Sequence, residues 1–124
     1  MDAAEGVLAR ARVVLEIEEV RRLLARGEGP FTDAEQAYAR AKSDPERRLA
    51  ARLAAKRATC EILGPGMVLE DVEVVAGWGS PPTLRLSARA QVLMRERGGS
   101  RLLLSLTHER SHAAAVVLLL AAGA

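Results

Sequence analysis

Between Ser43 and Gly66 the chain has one compact option. Ser43-Asp44-Pro45-Glu46 opens a helix, with Pro45 in the first turn, where no backbone hydrogen bond is lost. Gly64-Pro65-Gly66 ends it after about Leu63. At about 100° per residue, Leu49, Leu53, Lys56, Cys60 and Leu63 fall on one stripe. A helix this long with such a stripe must be covered, and the segments on either side supply the cover.

On the N-terminal side, Val13-Val14-Leu15-Glu16-Ile17 is β-branched and apolar and reads as a strand. Glu18 to Ala25 reads as a short helix with Val20, Leu23 and Leu24 on one side, stopped at Gly27-Glu28-Gly29-Pro30. Thr32-Asp33-Ala34-Glu35 has capping-box spacing and starts a helix through Ala41. After Gly66 the period changes. Val68 to Val75 and Thr83 to Ser87 read as strands around a loop holding Gly77, Trp78, Gly79, Ser80, Pro81 and Pro82. Ala88 to Arg97 reads as a helix stopped by Gly98-Gly99, and Arg101 to Glu109 and His112 to Ala121 as two strands joined by a short turn. The order β-α-α-α-β-β-α-β-β predicts one α+β domain over residues 1–124, an antiparallel sheet packed against helices.

Composition narrows the function. Hydrophobic residues make up 49% and charged residues 27%, which is globular. Aromatics are only 2%, so aliphatic side chains must build the core. A net charge of +2, with one Trp, one Tyr and one Phe, lacks the basic and aromatic surface of a nucleic-acid binder. Cys60 is the only cysteine, so no internal disulfide is available and a reducing cytoplasm fits. The apolar run from Ala113 to Ala122 is too short to span a membrane, and Asp2 and Glu5 at the start resemble no signal peptide.

Two residues sit oddly in apolar rows. Lys56 lies mid-stripe: either its stem packs while its ammonium reaches water, or it is aimed into a cleft to meet an anion such as a phosphate. Leu102, Leu104, Leu106 and His108 alternate onto one face, so His108 ends a core-facing row as a structural residue or as a base or ligand. Cys60 reads as a buried, inert thiol. Gly64-Pro65-Gly66 is no P-loop, since Gly-x-x-x-x-Gly-Lys is absent.

Taken together, several strings resemble the holo-acyl-carrier-protein synthases, which are 4′-phosphopantetheinyl transferases. Glu16-Ile17-Glu18-Glu19-Val20-Arg21-Arg22-Leu23-Leu24 resembles the motif G-[IL]-D-[IL]-x-E-[IL]-x-R-[IL], and Phe31-Thr32-Asp33-Ala34-Glu35 resembles F-T-x-x-E. Arg52-Leu53-Ala54-Ala55-Lys56-Arg57-Ala58 resembles R-[FW]-A-x-K-E-A. Gly64-Pro65-Gly66 resembles G-x-G, and Ser105-Leu106-Thr107-His108 resembles S-[IL]-[ST]-H. The resemblance implies a trimer with active sites between subunits. It implies coenzyme A as donor of the phosphopantetheine arm, an acyl carrier protein as acceptor, and a place in fatty acid or polyketide biosynthesis. It points to Arg52, Lys56, Arg57, Gly64, Gly66 and His108 as phosphate or coenzyme A contacts, and to Arg21, Arg22 and Arg26 as the face for the acidic carrier.

The family holds magnesium with the Asp of the first motif and the Glu after the Lys. Counting back from Glu16 puts Val13 at the first position, and Arg57 holds the second. Glu19 and Glu61 reverse sign at two basic positions. Arg57 either clamps phosphate itself or pairs with Glu61 four residues on. Magnesium held in the family's way is therefore not expected, although coenzyme A remains a possible ligand. The leading expectation is a degenerate synthase that binds a carrier protein or serves as partner subunit to an active paralogue in a mixed trimer. The alternatives are a repurposed enzyme using His108, Glu16 and Lys56 for acid–base chemistry, and a working transferase with relocated ligands drawn from Glu16, Glu18 and Glu61.

Overall fold

The computed structural model describes residues 6–27, 29–77 and 79–121. Asp2, Glu5, Glu28, Trp78 and Ala122, which entered the readings above, lie outside the described residues.

Strand β1 (Val7–Glu16) runs directly into α1 (Ile17–Ala25), followed by α2 (Asp33–Arg40) and α3 (Pro45–Leu63). A 3-10 turn (Leu69–Asp71), β2 (Val72–Val75), β3 (Thr83–Leu86), α4 (Ala88–Glu96), β4 (Gly99–His108) and β5 (His112–Ala121) complete the chain. The expected order holds. Two differences have local causes. β1 extends six residues earlier than expected, to Val7, because β5 is long enough to pair along its whole length, from Val7 with Leu120 to Glu16 with His112. Val68 to Asp71 is not strand: Asp71 accepts the Val68 amide at 3.0 Å and closes a 3-10 turn instead.

The large sheet is antiparallel, in the order β1-β5-β4; β2 and β3 form a separate hairpin. Alternation sends Ala11, Val13 and Leu15 of β1, Ala113, Ala115 and Val117 of β5, and Leu102, Leu104 and Leu106 of β4 to the inner face. α3 lies across that face and is wrapped on nearly every side, rather than along the single stripe that its leucines suggested. Ala50, Ala51, Ala54, Ala55 and Ala58 are all buried as well, because small side chains let the sheet, α1, α2 and β2 close around it. Thr32 accepts the Glu35 amide and the Glu35 carboxylate accepts the Thr32 amide, so the capping box is present.

Candidate active site

Lys56 is a structural lysine. Its ammonium is fully enclosed, 2.8 Å from Glu35 Oε1, and donates to the Val72 carbonyl at 2.7 Å. The other Glu35 oxygen accepts the Val74 amide at 2.8 Å. One buried ion pair thus ties α3 to α2 and β2. Lys56 neither reaches water nor meets a phosphate, which removes it from both the acid–base and the phosphate-binding sets. Of the acid–base candidates, Glu16 is exposed and His108 is half-buried, so only these two reach solvent.

Arg52 and His108 do meet. They border a pocket of about 230 Å³ with Tyr38, Arg48, Leu106 and the loop at Gly77 and Ser80. Arg52 is only 4% exposed and stacks on Tyr38, its Cζ 4.2 Å from the ring centroid. Its Nη1 donates to the Arg48 carbonyl at 3.2 Å, while its enclosed Nε has no hydrogen-bond partner among the described residues. Burial lowers the guanidinium's pKa, partly offset by Tyr38 and Glu35. An enclosed cation with an orphaned donor is costly unless an acceptor arrives, and two more nitrogen-bearing side chains border the same cavity. The chemistry suits a compact anion.

Arg48, Tyr38 and Asp44 were missed in the sequence. Asp44, Arg48 and Arg52 are spaced four apart and so share a helix face, a signal that could have found Asp44 and Arg48; Tyr38, on α2, carried none. A larger pocket of about 540 Å³ is bordered by Ile17, Arg21, Asp44, Glu46, Arg47 and Arg110.

Gly64 and Gly66 lie at the far end of α3, about 18 Å from Arg52 by helical rise, so they share no small site with it. Gly64 adopts φ 80° and ψ −160°, a glycine-only conformation. A Cβ there would run into the Arg97 guanidinium, whose Nε donates to the Leu63 carbonyl at 2.9 Å. Cys60 is half-buried rather than buried, and burial pushes its thiol pKa up, leaving it a poor nucleophile.

At the metal positions the structure makes a correction. Val13 faces inward and packs on both halves of the core, so a carboxylate could not serve there and its loss marks no lost ligand. Setting the motif's Asp on Glu16 matches Ile17, Glu19, Val20, Arg22 and Leu23 in turn, which makes Glu19 the motif's own glutamate and not a reversed sign. Glu16 ends β1 on the exposed face of the sheet. Arg57 remains a true departure. It donates to Glu19, not Glu61, with Nη2 at 2.9 Å from Oε1 and both side chains a little over one-third exposed. A cation that occupies the second ligand position and engages the nearest carboxylate does not suit magnesium, which wants a shell of oxygens. No cluster of three or more His, Cys, Asp or Glu converges among the described residues. The residues present do not fit the two-carboxylate magnesium site of the resemblance.

α1 presents Arg21 and Arg22 to solvent, and Arg26, the residue that caps its C-terminal end, is exposed as well. Arg21 is engaged by Glu18 and, at 2.6 Å, by Glu46. No helix among the described residues is long and apolar enough to cross a membrane.

No family model matches the chain. The fold is that of solved acyl-carrier-protein synthases: the Helicobacter pylori holo-[acyl-carrier-protein] synthase in complex with coenzyme A superposes with TM-score 0.75 at 18% identity, covering 90% of this chain and 99% of that one. In sequence, the holo-[acyl-carrier-protein] synthase of Moorella thermoacetica is 38% identical over 121 residues, 95% of this chain and 92% of the relative. That of Thermus thermophilus is 42% identical over 118 residues, 91% of this chain and 93% of the relative. The chain belongs to the holo-[acyl-carrier-protein] synthase family.

Proposed function

We propose that this chain binds coenzyme A and an acyl carrier protein as its family does, but does not transfer phosphopantetheine by the family's magnesium route. The observation that carries this is Arg57, a cation in the place of a ligand, held by Glu19. The pocket of Arg52, Arg48 and His108 supports retention of a phosphate-bearing ligand. The exposed arginines of α1 support steering of an acidic carrier.

Self-association fits the outer face of the sheet, which carries exposed Leu8, Val14, Leu103 and Val116. A homotrimer, or a mixed trimer with an active paralogue, would cover it. Coenzyme A and a carrier protein as ligands support a cytoplasmic location.

Incubation with apo-carrier protein, coenzyme A and magnesium, followed by intact mass, tests the reading. Carrier binding without mass gain, beside an active homologue, is the expected result. A second reading, transfer supported by Glu16 alone, is favoured by its exposed place at the motif's acidic position. It predicts a mass gain that Glu16→Ala abolishes.

A further inference from the structure

The carboxylate of Asp44 stands where it has little structural reason to be. Asp44 is the N-cap of α3, yet its side chain makes no capping bond, the usual use of an aspartate there. Instead Oδ1 accepts from Arg48 Nε at 3.0 Å and Oδ2 lies 4.0 Å from His108 Nε2. The Arg48 hydrogen bond, with the Arg48 charge, holds the Asp44 carboxyl below its ordinary range against the opposing effect of burial. Arg48 and His108 border the small pocket with Arg52, whereas Asp44 borders the larger pocket. The carboxylate therefore holds one of the side chains that the small pocket offers to an anion, Arg48, and lies close to a second, His108.

We propose that Asp44 is a resident anion, a positioning residue that holds Arg48 beside His108 in the free protein and gives Arg48 up when a phosphate group enters the small pocket. This deepens the proposed function and rests on its reading of that pocket as a phosphate site. On release, the carboxylate turns into the larger pocket, where Arg47 lies on its border. Binding is an exchange of one anion for another at the same cations. The effect of Asp44 is to weaken singly charged or poorly fitting anions more than a phosphate dianion, which can engage Arg52, Arg48 and His108 together.

The test is calorimetric titration of the full chain with coenzyme A. Asp44 makes no side-chain capping bond, so Asp44→Asn keeps its size, removes its charge and leaves the start of α3 as it is. It should tighten coenzyme A by roughly three- to tenfold, the worth of one freed hydrogen-bonding partner. Glu46→Gln removes a nearby charge on the larger pocket and should change affinity by less than about twofold, as a screened surface charge does. Arg48→Met should cost more affinity in the Asp44→Asn background than in the wild type, because only there is Arg48 free beforehand. Equal costs in the two backgrounds, or no tightening from Asp44→Asn, would overturn the proposal while leaving the phosphate pocket standing. If Arg48→Met and His108→Gln leave coenzyme A affinity untouched in the wild type, the phosphate reading fails and the proposal fails with it.

Discussion

Replacing Lys56 by Met isolates the buried pair at the junction of α3, α2 and β2. The ammonium is fully enclosed and satisfies both Glu35 and the Val72 carbonyl. Met has similar volume, so the cavity term is small. What remains is a carboxylate stranded in the core and a carbonyl without its donor. Removing one partner of a buried pair costs about 3–5 kcal/mol. Here Glu35 keeps the Thr32 and Val74 amides, which places the cost near the lower end, about 3 kcal/mol. With a urea slope of about 1.5 kcal/mol per molar for a chain of this size, the midpoint should fall by about 2 M. Titrations of wild type and variant at equal protein concentration, followed by circular dichroism, measure it. Coenzyme A affinity of the folded variant should be preserved. A midpoint shift below about 0.5 M together with lost affinity would refute the reasoning and return the ammonium to the binding site.

The remaining expectations concern other parts of the molecule. Gly64→Ala should lower stability by about 1–3 kcal/mol, read from thermal melting, because it forces a glycine-only backbone and displaces Arg97 from the Leu63 carbonyl. Arg57→Glu should cost under about 1 kcal/mol, since the pair it breaks is partly exposed. It should also introduce a magnesium-dependent rise in coenzyme A affinity that the wild type lacks; the same rise in the wild type would contradict the reading of Arg57. Val14→Asp puts a charge on the exposed apolar face of the sheet and should shift sedimentation toward monomer, whereas Arg40→Ala on the far side of α2 should not.

Periodicity and capping signals read most of the fold directly from the sequence. Pro45 and Gly64 bracket α3 where expected, the Thr32–Glu35 box forms, and β5 begins and ends at His112 and Ala121. Strand alternation also put His108 at the end of an inner row, where it borders the pocket. The site was read less well, because pattern gives the face of an element but not what stands opposite. Lys56 was correctly placed on a buried face, but its partner is 21 residues earlier on α2, and the capping glutamate gave no sign of a second task. Arg57 looked paired with Glu61 one turn away, yet α1 brings Glu19 closer. Val13 was assigned as a ligand position by counting along the motif, and alternation already places it with Ala11 and Leu15 on the inner side.

The order of the large sheet bears on how the chain reaches this state. β5 is the shared neighbour of β1 and β4 and follows both in the chain. β4 and β5 are joined by a short turn and can close as a local hairpin. β1 must wait for a partner that lies roughly a hundred residues on, with Glu16 meeting His112 and Val7 meeting Leu120. Such distant pairing makes for slow folding. Until β1 docks, α3 lacks part of the surface that encloses it, and the inner-face side chains Ala11, Val13 and Leu15 have no cover. The order therefore predicts that refolding yield falls as protein concentration rises, because an undocked β1 can pair with the β5 of another copy.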